Sequence, residues 1–146
     1  MRFQSGKRAG KTTEEVLLKF PDWALWNVNN YPDSKHSKEF VTLGKTFAAK
    51  PFTKRCDGGC GKLATRGTAY GGSPDLMFWC NHCSPTQNGA SGSKLTVVRT
   101  IGDVLRHIGR TADGNRAYSR TIVRQLAEAK GLPTRVGEKH ALAFFS

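Results

Sequence analysis

Four cysteines set in two close pairs, Cys56 with Cys60 and Cys80 with Cys83, limit what this chain can fold into more than any other feature. Two or three residues between paired thiols let each segment bend into a knuckle. The stretch between the pairs is long enough to return as a two-stranded ribbon, which brings the four thiolates together around one zinc ion. The strands are expected over 63–70 and 75–80. Gly58, Gly59 and Gly61 supply the positive φ and close backbone approach of the first knuckle, and Gly71-Gly72-Ser73-Pro74 supplies the ribbon turn. Four protein thiolates leave no open coordination position, so the zinc is expected to be structural. His82, inside the second knuckle, reads as a solvent-facing loop histidine ahead of a replacement ligand. Two disulfides are the competing arrangement. The N-terminal run MRFQSGKRAGKTTEEV has no apolar segment of the secretory kind, so a reducing intracellular setting, cytoplasmic or nucleoid-associated, is expected instead.

A hydrophobic fraction of 38% over 146 residues leaves only modest cores. A metal staple matters in that situation, because zinc binding contributes on the order of 10 kcal/mol to the folding of small modules. No apolar run approaches the roughly 20 residues of a membrane span. The formal net charge is +12, distributed as +6 up to Arg55, +1 over 56–94 and +5 beyond. Two basic flanks around a nearly neutral ribbon point to a polyanionic partner, since each phosphate contact by Lys or Arg releases counterions. The 11 acidic residues form no cluster suited to magnesium, which argues against a nuclease in which His82 or His36 assists a metal-bound water.

Residues 1–12 read as a short strand or hairpin with accessible amides. Gly6 and Gly10-Lys11-Thr12 are separated by three residues where a P-loop needs four. Thr12 and Glu15 form a capping box that opens a helix over 13–19, with Val16, Leu17 and Phe20 inward. Pro21 opens a second helix through Asn29, where Trp23 and Trp26 lie three apart and read as core residues, with base stacking as the other reading. A third helix is expected over 37–49, with Phe40, Leu43 and Phe47 inward and Gly44 weakening it. In the ribbon, Tyr70, Phe78 and Trp79 alternate with the pleat, so at least one is expected to face outward. Residues 85–94 read as a linker. Val98, Ile101, Val104, Leu105 and Ile108 then make one helical stripe. A helix over 118–130 with Ile122, Val123, Leu126 and Ala127 inward ends at Gly131. A last helix, capped by Thr134, buries Ala141, Leu142 and Phe145. His107 and His140 read as surface or capping residues.

Two resemblances follow from these residues. Gly6-Lys7-Arg8-Ala9-Gly10-Lys11-Thr12, Glu15-Val16 and Pro21 to Trp26 resemble the accessory domain at the C-terminus of exodeoxyribonuclease X-like proteins, also found in small phage proteins. Cys60-Gly61-Lys62-Leu63-Ala64 and Phe78-Trp79-Cys80-Asn81-His82-Cys83 are similar to the ribbon into which some members continue. This resemblance covers residues 2–84 and implies a nucleic-acid context, without implying exonuclease activity. Thr121 to Pro133 and Glu138 to Phe145 are similar to the opening helical hairpin of the HU/IHF family, which implies self-association or docking on an HU-like protein rather than DNA bending.

The sequence therefore predicts an α+β protein in four parts: a basic N-terminal module (1–50), a zinc ribbon (51–84), a linker (85–94) and a helical hairpin domain (95–146). The function expected is non-catalytic nucleic-acid binding, of DNA ahead of RNA, with no membrane role. Phosphate contacts are assigned to Lys7, Arg8, Lys11, Lys54, Arg55, Lys62 and Arg66, with Arg116, Arg120 and Arg124 as a second set. The alternative is a protein-binding adaptor or inhibitor, phage-encoded in that reading, that docks on a nucleoid or other host protein.

Overall fold

The computed structural model describes residues 1–71, 73–83, 95–110 and 116–146, and excludes the side chains of residues 110 and 116. The linker at 85–94, the loop at 111–115 and Gly72 of the predicted turn lie outside the described residues. Among the described residues the order is α1 (Thr13–Lys19), α2 (Pro21–Asn30), α3 (Lys35–Ala49), β1 (Arg66–Tyr70), β2 (Leu76–Trp79), β3 (Leu95–Val98), α4 (Ile101–Arg110), α5 (Arg116–Ala129) and α6 (Glu138–Phe145). The class is α+β.

The chain enters through a hairpin. Phe3 N–H donates to Lys11 O at 3.0 Å and Gly10 N–H to Phe3 O at 2.9 Å, with Gly6 and Gly10 at positive φ around the bend. Thr12 Oγ1 then accepts from Glu15 N–H at 3.2 Å and starts α1, while the Glu15 carboxylate takes Lys19 Nζ at 2.8 Å. All of α1 except Lys19 is buried, so this short helix is an interior element on which the other helices pack. The inward faces expected for α3 (Phe40, Leu43, Phe47) and α5 (Ile122, Val123, Leu126, Ala127) are all buried. Gly131 closes α5 at φ +104.

Strand order is β2-β1-β3, antiparallel throughout. Gly67 lies opposite both Phe78 and Val98, and Ala69 lies opposite Leu76, so the pleat turns these five residues to one face. A Cβ on Gly67 would come within 3.3 Å of Val98 and 3.4 Å of Phe78, so glycine lets the two flanking side chains close over the central strand. This face joins α4 and α5 in a single core that runs from Phe3 to Ala141. The opposite face carries Thr68 and Trp79, with Trp79 Nε1–H donating to Thr68 Oγ1 at 2.8 Å.

Several expectations need correction. The stripe from Val98 to Ile108 is not one helix: Val98 ends a strand, and α4 starts at Ile101, capped reciprocally by Thr100 Oγ1 on Asp103 N–H and by Asp103 Oδ2 on Thr100 N–H. Gly137, not Thr134, is the cap of α6, and Leu142 is exposed while Phe144 joins Phe145 against the core. His107 is buried rather than superficial, with its ring nitrogens 2.7 Å from Thr96 Oγ1 and 3.3 Å from Tyr70 O, and so ties α4 to the sheet. His140 does cap, accepting from Gly137 N–H. Phe78 and Trp79 are both buried and Tyr70 is half-buried, while Leu63 and Met77 are ribbon side chains that face solvent.

The helices and ribbon meet where two helix ends cap each other. Lys130, just past α5, donates from Nζ to Phe47 O in the last turn of α3 at 2.7 Å and to O of Lys50, the residue that caps α3, at 2.9 Å, and lies 4.9 Å from both the Phe47 and Phe52 ring centroids. In return Thr53 N–H donates to Ala129 O, the last residue of α5, at 2.7 Å. Gln125 secures the outer edge of β2, accepting from Leu76 N–H at 2.9 Å and donating to Pro74 O at 2.6 Å. Burial pulls the Lys130 ammonium down from its ordinary value to about 8. Between about 8 and the ordinary 10.5 the unfolded chain holds more protons than the folded one, so the stability contributed by this group rises with pH across that window. Lys130→Met removes the ammonium from Phe47 O and Lys50 O and is expected to cost about 2 kcal/mol at neutral pH. Its deficit against the parent should widen as pH is raised from about 8 to 10, which urea unfolding of the two proteins at each pH measures.

Candidate functional site

The four thiols converge. The Sγ atoms of Cys56, Cys60, Cys80 and Cys83 all lie within 4.8 Å of one another, all four cysteines are free, and together they form a site able to hold a metal ion. The first knuckle is a hairpin: Cys56 N–H donates to Lys62 O at 2.8 Å, Ala64 N–H donates to Lys54 O at 2.8 Å, and Gly59 and Gly61 turn it at φ +77 each. Gly58 N–H points at Cys56 Sγ from 3.3 Å. The need for glycine at 58 is steric rather than conformational, since a Cβ there would sit 2.7 Å from Cys83 Sγ.

Asp57 fastens this knuckle to the sheet. Its N–H donates to Phe78 O at 2.8 Å, and its Oδ2 accepts from Phe78 N–H at 2.7 Å. The second knuckle follows β2 directly, so Trp79 packs on Cys56, Cys80 and Cys83 and covers the sulfurs from the sheet side. His82 faces solvent. A bond from the His82 backbone amide is the main cause that brings the Cys80 thiol down to about 6. The surrounding sulfurs, Cys80 first, push Cys83 up to about 12. One favoured thiolate beside a thiol held neutral is what mutual repulsion allows in the free thiols; a divalent cation relieves that repulsion and releases the remaining protons.

The cations assigned to phosphate contact fall into two groups. Around the thiol centre, Arg55 donates to Gly61 O and Arg66 Nη2 donates to Cys83 O at 2.7 Å, so each braces a knuckle. Lys54 lies over the Phe78 ring at 4.7 Å, while Lys62 is exposed. Away from the thiols, Lys7 and Arg8 ride on the N-terminal hairpin, and Lys11 is half-buried. The Arg8 guanidinium lies 3.8 Å from the Phe20 centroid and 5.5 Å from that of Trp23. Arg120 approaches the same Phe20 ring at 4.9 Å while its Nε and Nη2 donate to the two Asp22 oxygens at 3.1 and 3.3 Å. Arg124 is exposed, and the Arg116 side chain lies outside the described residues.

Arg8, Arg120, Asp22, Trp23 and Trp26 line a cavity of about 330 Å³. Arg120 also lines a second cavity, of about 460 Å³, with Lys19, Arg124 and Arg135. Trp26, expected in the core, is 49% exposed, and Trp23 is half-buried. The inward stripe of α2 is carried by Pro21, Ala24 and Val28, and position 26 falls about half a turn away from it. Arg135 and the pairing of Arg8 with Arg120 across 112 residues were not legible in the sequence, because only the packing of α5 on α2 brings them together.

Comparison of the chain with protein-family models, curated proteins and solved structures returns no match. Among the described residues no helix is long and apolar enough to cross a membrane.

Two glycine replacements separate steric from conformational demand at the thiol centre. Gly58→Ala is expected to weaken metal binding by at least about tenfold, because the added methyl displaces a ligand sulfur. Gly61→Ala, which meets no atom, costs only about 1 kcal/mol of left-handed strain and leaves affinity within that limit. Cobalt(II) titration followed by thiolate-to-metal absorption measures both.

Proposed function

We propose that this chain is a non-catalytic nucleic-acid-binding protein, of DNA ahead of RNA, whose ribbon is held by one structural zinc ion. The zinc reading rests on the donor set: four sulfurs within 4.8 Å, with no histidine or carboxylate among them, suit a tetrahedral thiolate site for a borderline-soft divalent ion and leave no place for substrate. Cys56, Cys60, Cys80 and Cys83 would hold the ion, which would supply structural cohesion only.

The observation that carries the binding reading is the Arg8 guanidinium. Its Nε is buried without a hydrogen-bond partner among the described residues, in a chain whose net charge is +12. Cations outnumber acids by 23 to 11, and the acids near this point are engaged: Asp22 with Arg120, and Glu15 with Lys19. Asp22 lies near enough to favour the Arg8 charge but gives both oxygens to Arg120, so among the described residues the Arg8 guanidinium has no ion pair or hydrogen bond of its own, and phosphate offers acceptors to a guanidinium in a fixed geometry. The resemblance of residues 2–84 to an exonuclease-associated domain agrees with this reading.

Protein purified without added metal is expected to carry one zinc per chain by native mass spectrometry, and chelation should collapse the ribbon signals in an amide correlation spectrum. A different metal, or none, would remove the zinc assignment. Fluorescence anisotropy against labelled oligonucleotides should show affinity falling steeply with salt. Reversing Lys7, Arg8 and Lys11 to Glu is expected to weaken binding by at least about tenfold and to flatten the salt slope. An unchanged slope would exclude the hairpin from the interface.

A further inference from the structure

The aromatic residues beside Arg8 allow the ligand of that site to be specified, on the premise that the nucleic-acid reading holds. Trp26 is 49% exposed and Tyr31 57% exposed, and their ring centroids are 5.9 Å apart at 71°, an edge-to-face contact that fixes the tryptophan plane. Trp23 lies 6.5 Å from it, tilted by 31°, and is itself braced by Phe3 at 5.3 Å and Phe40 at 6.3 Å. Asn30 Nδ2 donates to Trp26 O at 2.8 Å across the end of α2. The exposed indole is therefore held in place by its neighbours, and it borders the same cavity as Arg8 and Arg120.

We propose that this cavity is a single-stranded nucleic-acid site, in which a base stacks on Trp26 while the adjoining phosphate is taken by Arg8, with Arg120 beside it, and the strand continues past Arg120 along Arg124 and Arg135. A stack of paired bases offers its faces only at its ends, whereas every base of a single strand presents a face to an indole. Asp22 does not oppose the phosphate on balance, because both of its oxygens are already taken by Arg120. The Arg8 side chain, whose charge Asp22 favours only from a distance, has no hydrogen bond or ion pair of its own among the described residues. A volume of about 330 Å³ is at the lower end of the ligand-pocket range, so it suits one nucleotide unit rather than a folded nucleic-acid element. The second cavity adds three further cations, of which Arg124 and Arg135 are exposed and free to follow a backbone. The sugar does not enter these contacts, so ribose and deoxyribose strands share the chemistry.

The test is zinc-loaded, full-length protein titrated by anisotropy against a labelled thymidine oligonucleotide of about ten residues, the uridine oligonucleotide of equal length, and a matched duplex. The single strands are expected to bind at least about tenfold tighter than the duplex, and the ranking of the thymidine and uridine strands names the natural source. Trp26→Ala should weaken single-strand binding by about tenfold and leave duplex binding unchanged, while Trp26→Phe restores most of the loss. Arg8→Gln should lower the magnitude of the single-strand salt slope by about one. Trp26 is on the surface, so its variants keep the fold, which the far-ultraviolet circular dichroism of each confirms. Duplex binding as tight as single-strand binding, with Trp26→Ala without effect, overturns this site and leaves nucleic-acid binding standing. Absence of binding to all three ligands by the parent protein at low salt overturns both.

Discussion

The structure depends on the exchange of caps between α3 and α5. A helix that ends inside a protein leaves carbonyls that must find donors, and at both of these ends local backbone amides are joined by a donor from the other segment. The α3 carbonyls are met by Lys130, which follows α5, and the α5 carbonyl of Ala129 is met by the amide of Thr53, which follows α3. The two segments that leave these helices are therefore fixed to each other. One of them, from Lys50 to Arg55, leads straight into the first cysteine knuckle. A charged group in this position is suited to the task because an ammonium serves several carbonyls at once, and Phe47 and Phe52 cover it with their ring faces. The cost is desolvation, which appears as the lowered Lys130 pKa.

From that joint the sheet passes the constraint in two directions. Because the pleat alternates, Phe78 enters the helical core and its neighbour Trp79 enters the thiol centre. Asp57 bonds the backbone of Phe78, between the two. The thiol centre and the helical core thus share one short strand, and a disturbance at the sulfurs reaches the helices through a single residue step. A sheet with only three short strands has little burial of its own, so it draws its order from the helices on one face and from the thiol cluster on the other.

Where local chemistry decided the structure, the sequence was legible. The bounds of α1 follow from Thr12 and Pro21, the inward face of α5 from its period, and the knuckles from cysteine and glycine spacing. Where a distant partner decided, it was not. Leu95 to Val98 is a strand because the free edge of β1 accepts it, while Val98 taken alone fits the helical stripe that begins at Ile101. His107 looks like a surface residue until Thr96 and Tyr70 are known to lie against it. Lys130 carries no sign of burial in a run that otherwise reads as an ordinary helix end. Trp26 was misplaced because hydrophobicity was taken as burial; Pro21 and Ala24, smaller residues, hold the inward stripe that lets α2 lie close to its neighbours.

The distribution of charge carries the same lesson into function. Many of the acids are committed within the fold: Asp57 to the sheet, Asp103 to the cap of α4, Glu15, Asp22 and Glu138 to ion pairs. Several cations are committed too, among them Lys130, Arg55 and Arg66. With the internal pairs assigned, the excess of +12 rests on cations whose partners must come from solvent or from a ligand. Most of these are well hydrated and cost little. Arg8 differs, because burial and the nearby Arg120 both lower its pKa, and the fold spends structure on keeping it there, with a hairpin turned by two glycines and Phe20 beneath it. A cation kept in that position, next to a half-exposed indole, would offer a polyanion with stacking bases two attachments at one place.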